Sequence, residues 1–265
     1  MNPPLRIDPL PAFVDNYLWL LQRGSRAVVV DPGDAAPVLA ALASAGLELE
    51  AVLITHHHPD HIGGLARLQA AQPQPVPVYG PAAEAARIPG LSTLLQGGEC
   101  LRLLEQDWQV LAVPGHTLGH LAYWAQPAGR APLLLCGDTL FSAGCGRLFE
   151  GSPAQMAASL ARLAALPAET EVYCTHEYTL SNLAFAEAVE PDHLPIRQHR
   201  ARVQALRAAG QPSLPSTLAR EQQINPFLRL DQPAVQAAAR AQGAANDDAV
   251  SVFAALRAWK DRFRG

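Results

Sequence analysis

The sequence lacks the features that mark membrane, secreted and nucleic-acid-binding proteins. No apolar run approaches the roughly 20 residues that cross a membrane, and residues 1–8 lack the apolar core of a signal peptide. A net charge of −4 gives no basic surplus, which argues against nucleic acid as a partner, and no membrane partner is expected. Four cysteines without Cys-x-x-Cys spacing indicate reduced core thiols rather than a disulfide framework. These absences predict a cytoplasmic protein.

The chain divides into a mixed part and a helical part. Its 265 residues are enough for one large or two modest domains. Up to about residue 176, β-branched runs alternate with helical stretches such as those beginning at Asp34 and Ser152, which predicts a layered α/β fold. Beyond Tyr178 only helical segments follow. They are predicted at 180–189, 195–209, 218–222, 233–242 and 248–263, with glycine or proline at several ends. We place the domain boundary near residue 177, giving domains 1–177 and 178–265.

Residues 55–64 contain the highest density of histidine and carboxylate side chains in the sequence. They hold four of its nine histidines and follow an apolar run that predicts a buried strand. His56 and His58 are two apart, so in extended chain they project to the same side, and Asp60 and His61 come next. Neutral imidazole is the commonest side-chain ligand of divalent metals in proteins. Two pairs of ligands in this order fit two adjacent metals better than one.

Three more apolar runs end in a tight turn and then in a metal-binding residue type. The residues are His116, Asp138 and His176. Each alone is more commonly a turn or surface residue, since glycine followed by a polar residue is ordinary turn chemistry. A two-metal site needs distant ligands, however, and α/β proteins usually build sites just past their strand ends. These three residues are therefore candidate partners of the segment at 55–64.

Five other residues of similar chemistry are interpreted differently. His57 points opposite to its neighbours and is expected to be a supporting or surface residue rather than a ligand. His120 is expected to support the site or to lie on a helix face. His193 and His199 fall in a polar helical segment and are expected to be solvent-exposed. Asp31 precedes Pro-Gly and is expected to form a turn.

The pattern T-H-x-H-x-D-H, then G-H-T, then G-D and a late histidine resembles the metallo-β-lactamase superfamily of dinuclear hydrolases. Within it, the chain is similar to glyoxalase II, the hydroxyacylglutathione hydrolases. The segments that carry this narrower likeness are 11–17, 141–147, 173–179, 215–218 and 225–227. The likeness covers essentially the whole chain, and most of these segments lie outside the metal-binding pattern.

The resemblance implies a fold and a ligand set. The fold is an α/β four-layer αββα sandwich of the metallo-β-lactamase type with a C-terminal all-α domain. The implied ligands are His56, His58 and His116 for a first metal, Asp60, His61 and His176 for a second, and Asp138 bridging both. The metals are expected to be two divalent ions per chain, zinc above all, with iron or manganese as alternatives. Asp60 and Asp138 are the expected catalytic carboxylates, acting beside a metal-activated water.

The resemblance also implies four substrate-binding residues: Arg147, Tyr178, Arg257 and Lys260. Arg147 stands where many relatives have lysine, and arginine can still pair with a carboxylate. Phe149 stands where some relatives have tyrosine, so one hydrogen bond to the substrate is lost. Arg257 and Lys260 share a helix face, which without the resemblance would be interpreted as a solvated basic surface.

The implied activity is hydrolysis of S-D-lactoylglutathione to glutathione and D-lactate, the second step of methylglyoxal detoxification. The expected enzyme is a monomer that acts on this small molecule. One alternative is another hydrolase of the same fold, such as a lactonase, a β-lactamase or a phosphodiesterase. The other is a binding or scaffold protein without activity, against which the complete ligand set argues.

Overall fold

The computed structural model describes residues 3–264. These residues form two compact units. Unit 1 comprises residues 3–112 and 119–137, and unit 2 comprises residues 113–118 and 138–264. No helix within these described residues combines the length and apolar character needed to cross a membrane.

Unit 1 contains a mixed six-stranded sheet whose strands follow one another in chain order. The strands are β1 (Arg6–Ala12), β2 (Asn16–Arg23), β3 (Arg26–Val30), β4 (Glu48–Leu53), β5 (Val78–Pro81) and β6 (Thr93–Leu95). The first three are antiparallel neighbours, and β3 to β6 are parallel. The helical segments of this part are α1 (Ala35–Ala45), α2 (Pro59–Ile62), α3 (Leu65–Ala70) and the 3₁₀ helix Ala82–Arg87.

Unit 1 also contains four antiparallel strands in the order β10-β9-β8-β7. They are β7 (Cys100–Leu103), β8 (Gln106–Ala112), β9 (Leu121–Ala125) and β10 (Leu133–Gly137). Cys136 in β10 is buried, as are Cys145 and Cys174, but Cys100 is exposed on edge strand β7. The prediction of core thiols is therefore wrong for Cys100.

The parallel strands β3 and β4 are the apolar centre of unit 1. After Arg26, β3 is a buried run of alanine and valine, and β4 ends in the buried run 51–53 after two glutamates, as expected where parallel strands are covered on both faces. The Asp34 carboxylate accepts a hydrogen bond from Ala36 N at 2.9 Å and caps α1, so the predicted helix start is confirmed. The buried β4 ends at Leu53, directly before the histidine-rich segment.

Unit 2 is mostly helical. Its elements are β11 (Leu140–Phe141), β12 (Gly144–Cys145), α4 (Pro153–Ala164), β13 (Glu171–Cys174), α5 (Thr179–Val189), α6 (Leu194–Ala208), β14 (Ser216–Thr217), α7 (Leu218–Ile224), the 3₁₀ helix Pro226–Leu228, α8 (Pro233–Ala241) and α9 (Ala249–Arg262). Ser152 and Gln155 form the predicted capping box at the start of α4. All five C-terminal helices are confirmed, with ends within two residues of those predicted.

His199 on α6 is buried, which contradicts the predicted exposure. It is 7% exposed because it lies on the same helix face as Ile196 and Val203, which pack into an apolar cluster of unit 2. Its Nδ1 lies 3.1 Å from Arg220 Nη1, and burial lowers the pKa of His199 to about 4. His193 is half-buried, with Nε2 2.8 Å from the Gln223 carbonyl oxygen.

Candidate active site

The four predicted ligands of unit 1 lie together after β4. His56 Nε2 is 3.0 Å from His58 Nδ1, and the rings of His56 and His61 are 4.0 Å apart between centroids. Asp60 Oδ2 lies 3.5 Å from His61 Nε2. Pro59 begins the short helix α2, which places Asp60 and His61 on its first turn. Three imidazoles and a carboxylate therefore converge within six residues of chain.

Asp31 orients two of these imidazoles. Its carboxylate accepts hydrogen bonds from Thr55 N and Thr55 Oγ1, both at 2.7 Å, and lies 2.9 Å from His61 Nδ1. Because the Thr55 hydroxyl donates to Asp31, its oxygen accepts from His56 Nδ1 at 3.0 Å. Both imidazoles then carry their proton on Nδ1 and present the Nε2 lone pair, the tautomer that a metal ligand needs.

Asp31 was expected to form a turn, and its backbone does adopt a left-handed φ of 50°. The residue is nevertheless only 2% exposed, and its carboxylate contacts Thr55 and His61 within the site. The sequence did not predict this role. A second missed residue is Asn16, whose Nδ2 donates to Asp60 Oδ2 at 3.0 Å. It lies in segment 11–17, whose likeness to the family was the available signal.

His57 and His120 lie next to this cluster and differ in their contacts. The backbone N–H of His57 donates to Glu84 Oε2 at 2.8 Å, and its Nδ1 lies 2.8 Å from the same oxygen. His57 is thus turned to Glu84, a buried carboxylate that also accepts from Gly119 N at 3.0 Å. His120 is fully buried and stacks on His56 at 4.7 Å between centroids, in the loop before β9 rather than on a helix.

The three predicted ligands of unit 2 also lie together. Asp138 Oδ2 is 3.5 Å from His116 Nε2 and 3.3 Å from His176 Nε2, so two imidazoles face one carboxylate oxygen. His116 Nδ1 donates to the Arg147 carbonyl oxygen at 2.8 Å, which leaves its Nε2 lone pair for a metal. The Tyr178 ring lies parallel to that of His176, 4.6 Å away between centroids.

Both clusters have the chemistry of a metal site. Imidazole nitrogens and carboxylate oxygens are the donor set of zinc, iron and manganese proteins. Several of the imidazoles have one ring nitrogen fixed by an acceptor, which is the usual support of a metal-binding histidine. The clusters therefore suggest divalent metal binding.

A cavity of about 410 Å³ in unit 2 joins the predicted metal ligands of this unit to the predicted substrate residues. Its lining includes His116, Asp138, Arg147, Tyr178, Arg257 and Lys260. Phe149 also lines it and is 62% exposed. All four residues predicted to bind substrate thus share one cavity with two predicted metal ligands.

The basic residues of this cavity are not a solvated helix face. Arg257 is 6% exposed, and its Nη1 donates to the Cys145 carbonyl oxygen at 3.0 Å. Lys260 Nζ donates to the Ser181 carbonyl oxygen at 3.0 Å and lies 5.3 Å from the centroid of the Phe185 ring. Burial, aided by the Arg257 charge, lowers the pKa of Lys260 to about 8. Lys260 is the only lysine of the chain.

A buried carboxylate, Glu221, holds one wall of the cavity and was missed by the sequence analysis. It accepts hydrogen bonds from Ser142 Oγ at 3.0 Å, Ala143 N at 2.7 Å, Asn225 Nδ2 at 3.2 Å and Ser216 Oγ. Burial raises the pKa of Glu221. Residues 142 and 143 form the turn between β11 and β12.

Asn225, which contacts Glu221, also holds this hairpin. Its Nδ2 contacts the carbonyl oxygens of Phe141 at 3.1 Å and Gly144 at 2.9 Å. Phe141 and Cys145 of this hairpin line the cavity. The sequence analysis gave no role to segments 215–218 and 225–227. Through Ser216, which contacts Glu221, and through Asn225, they help to hold the hairpin that lines the cavity.

Comparison with known protein families finds two sequence models that match the chain. The sequence model of the metallo-beta-lactamase superfamily matches residues 13–176, and that of the hydroxyacylglutathione hydrolase C-terminus matches residues 177–263. A protein of Cupriavidus taiwanensis named hydroxyacylglutathione hydrolase is 55% identical over 98% of this chain and 100% of its own length.

Solved structures support the fold. The crystal structure of ETHE1 from Myxococcus xanthus matches with a TM-score of 0.63 and 25% identity, covering 86% of each chain. The crystal structure of TTHA1623 in a di-iron-bound form matches with a TM-score of 0.58 and 30% identity, covering 83% of this chain and 100% of that one. The predicted metallo-β-lactamase-type fold with a C-terminal helical part is confirmed.

Proposed function

Because the chain belongs to the hydroxyacylglutathione hydrolase family of the metallo-β-lactamase superfamily, we propose how its residues divide the work of thioester hydrolysis. The chain is a hydrolase of S-(2-hydroxyacyl)glutathione, and its substrate is S-D-lactoylglutathione, which yields glutathione and D-lactate. The enzyme works on this small molecule as a monomer in the cytoplasm.

The metal ligands come from both clusters. His56, His58 and His116 would hold one metal, Asp60, His61 and His176 would hold the other, and Asp138 would contribute to both. The support is the donor chemistry, together with Asp138 Oδ2 facing two imidazole Nε2 atoms. Zinc is the expected metal, with iron or manganese as alternatives, and one similar protein has been solved in a di-iron-bound form. Such a metal pair, when bound, lowers the pKa of a water and polarises the carbonyl that is attacked.

The protein's own contribution around the metals is orientation. Asp31 fixes His61 and, through Thr55, His56, while Asn16 holds the carboxylate of Asp60. Fixed donors cost little reorganisation when the substrate reacts. The leaving group is the thiolate of glutathione. Because the pKa of a thiol is about 8.5, this thiolate can leave without a dedicated general acid.

Binding of the glutathione part falls to Arg147, Tyr178, Arg257 and Lys260. The carrying observation is the cavity in which these residues and the predicted ligands His116 and Asp138 occur together. Cationic groups there attract the carboxylates of glutathione, whereas the Phe149 ring offers no hydroxyl. The cavity can therefore hold the glutathione part of the substrate while the thioester group lies near the predicted metal ligands.

The chemistry resides in the proposed domain 1–177, and specificity resides mainly in 178–265. The two matched family models meet at residues 176 and 177, which supports this division. The compact units differ from it because residues 113–118 and 138–177 belong to the same unit as the C-terminal helices.

The direct test is hydrolysis of S-D-lactoylglutathione by the purified, zinc-loaded protein. We expect turnover of this thioester, and no comparable turnover of a lactone, a β-lactam or a phosphodiester. Absence of thioester hydrolysis with metal bound would contradict the proposal, and a β-lactam or lactone preferred over the thioester would replace it.

A further inference from the structure

Asp261 contacts two of the three cations of the cavity, although no step described above uses it. Its Oδ1 lies 2.9 Å from Arg257 Nη2 and 3.3 Å from Arg147 Nε. Asp261 also follows Lys260 in α9, and its charge acts on the Lys260 ammonium, so the carboxylate interacts with all three cations. The Asp261 carboxylate lowers the net positive charge of the cavity and so weakens its attraction for an anionic substrate. A carboxylate at this position therefore needs a separate explanation.

Arg147 depends on Asp261 for its position. Asp261 is its only side-chain partner within residues 3–264, and the side chain is 58% exposed. A long exposed side chain otherwise samples many rotamers, and fixing it on binding costs entropy. The contact engages Nε and leaves both Nη groups of Arg147 without a partner in the described part of the chain, while the residue lines the cavity. An arginine can contact two anions in this way, because its planar guanidinium presents Nε and the Nη groups in different, fixed directions.

Arg257 is already committed to the protein. Its side chain is buried, with Nη1 on the Cys145 carbonyl oxygen and Nη2 on Asp261. Because both Nη groups of this buried guanidinium are hydrogen-bonded, Arg257 has few accessible rotamers and holds the Asp261 carboxylate in a defined position. The contacts thus run from the hairpin at Cys145 through Arg257 and Asp261 to Arg147.

We propose that Asp261 is a positioning residue that holds Arg147 ready for the glycyl carboxylate of the substrate's glutathione part. This inference rests on the proposed function. It differs from an ordinary exposed ion pair, whose loss changes stability slightly and leaves substrate affinity alone. It also fits arginine at position 147, because Nε can contact Asp261 while the Nη groups contact a second carboxylate.

The test compares Asp261→Asn with the wild type on two substrates, S-D-lactoylglutathione and its analogue with the glycyl carboxylate converted to an amide. For the natural thioester we expect KM to rise about tenfold, the scale of one charge-assisted contact, with kcat within about twofold. For the amide analogue we expect KM of the variant and the wild type to agree. An unchanged KM for the natural thioester, or an equal rise for both substrates, would overturn the proposal.

Further variants separate positioning from general damage. Arg147→Ala and the double variant Arg147→Ala/Asp261→Asn should have the same KM, because Asp261 acts through Arg147. Asp261→Glu should restore most of the affinity. The matched control is Asp107→Asn, which removes an exposed carboxylate 2.8 Å from Arg102 in unit 1 and should leave KM unchanged. A larger KM in the double variant than in Arg147→Ala would count against the proposal.

A binding experiment distinguishes failure of this inference from failure of the proposed function. Calorimetry with glutathione, which carries the same glycyl carboxylate, needs no turnover. If the wild type does not hydrolyse the thioester, the proposed function fails, and the two dissociation constants still decide on Asp261. Weaker binding by Asp261→Asn supports its role, and equal binding overturns it.

Discussion

The histidine segment at residues 55–64 and the cavity of unit 2 are built in opposite ways. The segment brings four predicted ligands together within six residues, at the end of one strand and the start of one short helix. The cavity takes its lining from residues as far apart as His116 and Lys260. A local motif can therefore specify the chemistry of a site, while substrate recognition depends on contacts that only the folded chain creates.

The largest effect is expected from the metal ligands. His58→Ala and Asp138→Ala should lower kcat/KM by more than about 10³-fold, because without the metals no water is activated at neutral pH. Steady-state assays and metal analysis of the same samples provide the measurement. His57→Ala is the matched control in the same segment, since His57 is turned to Glu84, and it should retain its metal. Normal turnover in either ligand variant would reject the assigned site.

Loss of the residue that orients the ligands should have a smaller effect. Asp31→Asn replaces a carboxylate oxygen that lies against His61 Nδ1 and Thr55, and should weaken metal binding by about 10–100-fold. Competition with a chelator of known affinity measures this change. Asp34→Asn, three residues away, alters only the cap of α1 and should leave metal affinity unaltered. Equal affinities for the Asp31 variant and the wild type would show that the tautomer argument is wrong.

Glu221 tests the other region. Glu221→Ala leaves buried donors unpaired and should lower the free energy of unfolding by about 3 kcal/mol, seen in urea denaturation. Glu221→Gln should be much milder: its oxygen can accept from Ala143 N, and the two serine hydroxyls can rotate to accept from its amide. Equal destabilisation by both variants would contradict this view of the network.

The smallest effect concerns pH. Because the pKa of Lys260 is lowered to about 8, the side chain is positively charged below pH 8. It loses this charge as the pH rises through that value. KM for the thioester should therefore be flat near pH 7 and rise severalfold by about pH 9, while Lys260→Arg should stay flat because arginine remains charged. Since Lys260 is the only lysine, labelled lysine gives one NMR signal whose titration reports this pKa. A pKa near 10.5 would contradict the expected cause.

Local signals in the sequence were enough for the longer elements and for the layered α/β class, but they missed the two-residue strand β14 among the C-terminal helices. The caps at Asp34 and Ser152 and the five C-terminal helices lie where periodicity and end signals predicted them. The metal ligands stay a prediction, but each set lies together within its own unit. These features are local, or sit at strand ends, and so can be recognised in the sequence.

The supporting residues could not be predicted because their partners are far away in sequence. Asp31 contacts a threonine 24 residues later, and Glu221 contacts a serine 79 residues earlier. No local periodicity encodes such pairs, and a buried carboxylate looks like any surface acid until its donors are known. The error on His199 has a similar origin, because which face of a polar helix is buried depends on its neighbours.

The most direct test of the account is the metal content of each variant, measured by native mass spectrometry after reconstitution with zinc. We predict two zinc ions per wild-type chain, the number that dinuclear hydrolytic sites hold, two in His57→Ala, and fewer in Asp138→Ala, which loses the proposed bridging ligand. Two ions retained in Asp138→Ala, or none bound by the wild type, would contradict it.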